Sequence, residues 1–88
     1  PYGVGPLLER AIARARRQAE ESERAEVARE VALLIERSGL TAAELAHRVG
    51  TSRSRLSTYR SGSVVPSAAM LVRLRRAVER AALDRGSR

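Results

Sequence analysis

The sequence predicts an all-α protein, with four helices around one core and an additional helix at the N-terminal end. Three observations predict it. Apolar residues return at steps of three and four over most of the chain, as on helix faces, and nowhere alternate as a half-buried strand requires. Ser or Thr stands before several of these stretches and Gly stands after three of them, the residues that cap helix starts and ends. Finally, 88 residues bury too little surface for two cores, and with no Cys the single core must be held by hydrophobic packing.

The first stripe, Leu8, Ile12, Ala15 and Ala19, predicts a helix from Leu7 to about Arg24. It is thin and Ala-rich, so packing on a neighbour or a second subunit is expected of it. A second stripe, Val27, Val31, Leu34 and Ile35, is out of step with the first, and Ser22 followed by Glu23 and Glu26 resembles a helix start. A break is therefore expected between Ser22 and Ala25, the alternative being one helix to Ser38, since no Gly or Pro intervenes. Ser38-Gly39-Leu40 ends this segment, with Gly39 in the left-handed cap and Leu40 returning to the core.

Thr41-Ala42-Ala43-Glu44 is a capping box, opening a short helix through Val49 whose inward face is Leu45, Ala46 and Val49. Gly50 closes it, Ser52 is the expected N-cap of a helix to about Arg60, and Ser61-Gly62-Ser63 ends that one. Val64-Val65-Pro66 predicts an extended connector, because the residue before Pro avoids the helical region. Ser67 then caps a last helix from Ala68 to about Leu83, with the stripe Leu71, Leu74, Val78 and Ala81. Residues 1–24 are read as an arm, 25–83 as the folded domain and 84–88 as a frayed tail; residues 1–5, PYGVG, are given no role.

Charge divides the chain. All 17 basic residues are Arg and the net charge is +7. Residues 1–44 hold seven Arg against eight acids, residues 45–88 hold ten against two, and no acid lies between Glu44 and Glu79. So one-sided a surface calls for an anionic partner, and Arg suits bidentate contact with phosphate or guanine. Only 2% of residues are aromatic, which argues against RNA and single-strand modules that stack bases. His47, the one histidine, has no Cys or carboxylate cluster near it, so it is expected to be an exposed helix residue; no metal, cofactor or enzymatic activity is expected. No apolar run reaches the ~18 residues of a membrane span, so a soluble, cytoplasmic protein is expected, and the Lys-free, Asn-free, Ala- and Arg-rich usage points to a bacterial source.

Leu45-Ala46, Val49-Gly50, Leu56, Tyr59, Gly62 and Pro66, spaced as they are between Val27 and Ala82, resemble the helix-turn-helix of phage repressors and Cro, the Xre-like family. The resemblance implies a compact repressor-like domain whose third core helix, 52–60, lies in the major groove of DNA. The residues lead to the same expectation. Leu56 and Tyr59, three apart, point inward and leave Arg53, Ser54, Ser57 and Thr58 outward. Arg53, near the helix start, is expected to read guanine, with Ser54, Ser57 and Thr58 meeting base edges or thymine methyls. Phosphate contacts are expected from Arg48, Ser52, Arg55, Arg60, Ser63 and the start of the helix capped by Thr41, where the Ala42 N–H points outward.

Each assignment has a plainer rival. Arg48, Arg73, Arg76 and Arg80 serve equally well as solvated surface, Thr41 is a cap before it is a phosphate contact, and Tyr59 is a core residue with a wet hydroxyl rather than a stacking platform. At Arg60 the chain departs from the family, whose members usually carry a Glu there that pairs with an Arg on the first core helix. Ile35 falls near that partner's place, so the pair is expected to be absent; a reversed pair between Glu36 and Arg60 is expected from charge signs alone.

The function expected is a sequence-specific, double-stranded DNA-binding transcriptional regulator. It would act as a homodimer on a roughly palindromic operator, paired through residues 7–24 or the last helix. One alternative is an antitoxin that autoregulates its operon and binds a basic toxin through the arm, acid-rich at Glu20, Glu21, Glu23 and Glu26. Another is a protein-docking transcriptional bridging module, against which the acid-free span Leu45 to Val78 speaks.

Overall fold

Between Pro6 and Ser38 the chain is built almost wholly from Ala, Arg, Glu and Leu, and it makes one helix. In the computed structural model, which describes residues 5–86, α1 (Pro6–Ser38) is followed by α2 (Ala42–Val49), α3 (Arg53–Ser61) and α4 (Ala68–Gly86). No strand occurs among the described residues. The break expected between Ser22 and Ala25 is absent. A capping Ser needs an extended backbone and a gap in the helix, whereas an exposed mid-helix Ser costs only a few tenths of a kcal/mol in propensity, which the strong helix formers on both sides outweigh. The additional N-terminal helix is thus the free end of α1. The chain extends 71 × 23 × 18 Å because α1, at about 1.5 Å per residue, runs well beyond the body it helps to build.

The core sits where the second half of α1 meets the other three helices. Val31 and Leu34 from α1, Leu45, Ala46 and Val49 from α2, Leu56 and Tyr59 from α3, and Met70, Leu74 and Ala81 from α4 are buried. Val27, Ile35, Leu40, Leu71 and Val78 pack half-buried against them. On α4, Met70 rather than the expected Leu71 is buried. Ser67 accepts the Met70 N–H at 3.0 Å and fixes the first turn, so the buried row runs Met70, Leu74, Ala81 and leaves Leu71 and Val78 on its flank.

α4 also outruns its expected end. Arg85, read from sequence as tail, donates to the carbonyls of Ser38 at 2.6 Å and Arg37 at 3.2 Å, satisfying groups that the last turn of α1 leaves open. Fully buried Ser38 donates to Ile35 O at 2.6 Å and accepts the Leu40 N–H at 3.1 Å, folding the chain back toward α2. Arg75 of α4 bonds Glu30 of α1 at 2.6 Å. The expected tail residues Ser87 and Arg88 lie outside the described residues, as do the first four residues of PYGVG. No helix is long and apolar enough to cross a membrane among the described residues.

Candidate nucleic-acid interface

Two short helices joined by three residues form the site, and every join is made by side chains close in sequence. Thr41 Oγ1 accepts the Glu44 N–H and the Glu44 carboxylate accepts the Thr41 N–H, both at 3.1 Å, closing the expected capping box. These bonds hold the Glu44 carboxyl below its ordinary pKa, the Thr41 side chain contributing most and its backbone next. α2 ends at Gly50, whose φ of 78° lies in the left-handed region that favours glycine. The chain turns there, with the Thr51 N–H bonded to Ala46 O at 2.9 Å, and Ser52 caps α3 by accepting the Arg55 N–H at 3.0 Å.

α3 has two unlike faces. Leu56 is 1% exposed and Tyr59 7%, which seats the helix on the body. Arg53, Ser54 and Ser57 are exposed, while Thr58 is half-buried and donates its hydroxyl to Arg55 O at 2.6 Å. Arg55 lies along Tyr59, its Nε donating to the phenol oxygen at 3.3 Å and its guanidinium carbon 6.0 Å from the ring centroid, the outer limit of a cation–π contact. The Tyr59 hydroxyl therefore has a partner. At the exit, Thr58 O accepts from Ser61 Oγ, Ser63 Oγ and the Val64 N–H at 3.2, 3.3 and 3.2 Å, which ties Ser63 to the end of the helix.

The arginines sort by partner. Among the described residues the ion pairs are Arg75–Glu30 and Arg48–Asp84, the latter 3.7 Å long between exposed groups. The reversed pair expected between Glu36 and Arg60 is absent: both side chains are exposed, and opposite sign alone does not bring surface groups into reach. Among the described residues Arg53 and Arg60 make neither an ion pair nor a side-chain hydrogen bond. Arg48 also shares an open groove with Arg73, Arg76, Ala77, Arg80 and Asp84. The i, i+3, i+7 spacing of the three α4 arginines is the sequence signal for that shared face, one that does not show while each is taken alone. His47 is exposed, and no cluster of His, Cys, Asp or Glu able to hold a metal occurs among the described residues.

Residues 31–79 match the helix-turn-helix family model, from the core half of α1 into α4. The matched segment is more than half of the chain. No curated protein and no solved structure matches. The chain belongs to the helix-turn-helix family of the Xre and Cro type, a family of DNA-binding transcriptional regulators.

Proposed function

We propose that this member of the helix-turn-helix family is a sequence-specific regulator that binds double-stranded DNA as a homodimer, with α3 of each copy in the major groove. The observation that carries the reading is the polarity of α3. Leu56 and Tyr59 are buried, while Arg53, Ser54 and Ser57 stand exposed on a stretch without a single acid. Arg53 opens the helix and has no partner among the described residues, so its guanidinium reads guanine O6 and N7. Ser54 and Ser57 meet neighbouring base edges, and Thr58 presents its methyl to a thymine.

Phosphate contacts flank this reader. Arg55, steadied against Tyr59, and Arg60 supply charge from α3 itself, and Arg48 adds one from the end of α2, where it also faces Asp84 of α4. The capping box occupies the N–H groups of Thr41 and Glu44, which leaves the Ala42 N–H for a phosphate at the start of α2. Ser52 and Ser63 add hydroxyls at the two ends of α3. These contacts fix register and Arg53 supplies choice.

Selection of bound sites from random duplexes tests the reading, followed by titration of the selected and a scrambled duplex over a range of salt. A two-fold repeated site, bound by two chains, is expected. Each half-site should contribute a log K against log salt slope of −0.9 per neutralised phosphate, with roughly four to eight phosphates per half. Equal affinity for selected and scrambled duplexes, or no duplex binding in dilute salt, would refute it.

A further inference from the structure

Because α1 is one unbroken helix, its two apolar stripes have a fixed relation. At 100° per residue, Leu8, Ile12, Ala15 and Ala19 lie about 100° around the helix from Val27, Val31 and Leu34, the face that packs on the body. The first stripe therefore cannot serve the same core. Residues 6–26 are exposed throughout except for half-buried Ala13, with Leu8 50% and Ile12 44% exposed. Charge along this arm is segregated: Arg10, Arg14, Arg16 and Arg17 fill its first half, and Glu20, Glu21, Glu23 and Glu26 its second, with Glu9 and Arg24 the exceptions.

We infer that the arm pairs antiparallel with the arm of a second copy of this chain. Antiparallel overlay near Arg17 lays each basic half on an acidic half, whereas a parallel pair would set like charges side by side. In that register Ala15 faces the partner's Ala19, Ile12 faces the partner's Ser22, and Arg16 and Glu23 flank the seam. The small residues at its centre let the two helices approach closely. The pairing also sets the operator geometry: Val31 of each copy stands roughly 20 Å from the centre along the arm, so the two bodies sit about 40 Å apart, a little over one turn of duplex. This deepens the reading of the protein as a DNA-binding dimer and names its interface.

Sedimentation of the full chain, with Arg16→Glu, Glu23→Arg and the double reversal, tests it. Arg16→Glu turns the two Arg16–Glu23 attractions into repulsions and is expected to weaken dimerisation severalfold; Glu23→Arg, which the register also sets near the partner's Glu9, is expected to weaken it less, and the double reversal to restore it. The chain has no cysteine, so introduced ones report register directly. A mixture of Ala15→Cys and Ala19→Cys chains is expected to cross-link on mild oxidation. Leu8→Cys is expected not to, its two copies lying about 27 Å apart along the arms. Rapid disulfide formation by Leu8→Cys, or a wild-type chain still monomeric at ~100 μM, would overturn the proposal, the latter leaving the arm to a different, basic partner. Binding of a single half-site duplex by the same variants separates the two readings. If the arms pair but no variant binds that duplex, the DNA reading fails and the interface stands.

Discussion

Replacing Arg53 by Ala removes a guanidinium that the fold does not use. The side chain is exposed, opens α3 and has no partner among the described residues, and Ala is at least as good a helix former. Stability is therefore expected to change by less than about 0.5 kcal/mol, which for a domain of this size is at most ~4 °C in the melting midpoint. Binding is expected to change far more. A bidentate contact to guanine discriminates by about 1–3 kcal/mol, a factor of roughly 5 to 150 at one base position in each half-site. The assay is an equilibrium titration of the selected duplex and its single-base-pair variants by fluorescence anisotropy. The wild-type chain should prefer one base pair at that position, and the variant should bind all four there equally while keeping its other preferences and its salt slope. Equal losses on selected and scrambled duplexes, with a slope reduced by about 0.9 per half-site, would make Arg53 a phosphate contact and refute its assigned role.

The remaining predictions concern what holds α2 and α3 in place. Leu56→Ala empties a site that is 1% exposed and should cost about 2–5 kcal/mol, with a fall of at least ~10 °C in the melting midpoint by circular dichroism. Gly62→Ala puts a methyl group at φ 84°, 3.3 Å from Ala28 Cβ on α1, and should destabilise by about 1–2 kcal/mol in denaturant titration. Arg85→Ala leaves the Ser38 and Arg37 carbonyls without their partner and should cost about 1 kcal/mol by the same measurement; no change would return residues 84–86 to the status of a tail. Glu44 has a lowered pKa in the folded chain, so its cap stabilises at pH above the ordinary value of 4.5 and is lost as pH falls through the lowered one. Melting curves of wild type and Glu44→Gln should accordingly differ at neutral pH and converge in acid.

What the sequence made legible was local. The capping box spans four residues, the turn after α2 needs one glycine with a left-handed backbone, and the two faces of α3 follow from Leu56 and Tyr59 on the same helix. The exposure of Arg53, Ser54 and Ser57 could be read for the same reason, whereas Thr58, also expected outward, is half-buried because it lies beside Tyr59 and turns its hydroxyl to Arg55 O. The continuity of α1 was harder. Ser22 followed by acids is a sound cap signal, but a cap is used only where the chain must turn, and the strong helix formers on both sides carry the helix through. Met70 in place of Leu71 depends on how α4 is rotated against α1 and α2, a tertiary choice between adjacent apolar residues. The bonds of Arg85 to Ser38 and Arg37 join residues 47 and 48 positions apart, which no spacing rule connects.

The contrast between the arginines explains why the net charge of +7 understates the site. Arg75 is neutralised by Glu30 and Arg85 is spent on helix-end carbonyls, both at the seam between α1 and α4, and Arg48 is partly offset by Asp84. These charges help close the body. On α3 the order is reversed: Arg55 lies against a neutral phenol, and Arg53 and Arg60 form no ion pair among the described residues. Had these arginines served only solubility, acids on neighbouring turns would have cost the fold nothing and relieved their mutual repulsion. Their absence from Leu45 to Val78 leaves the repulsion standing in the free protein. On the proposed reading, a polyanion lying along α3 would remove it on binding and make the same charges a source of affinity that salt weakens.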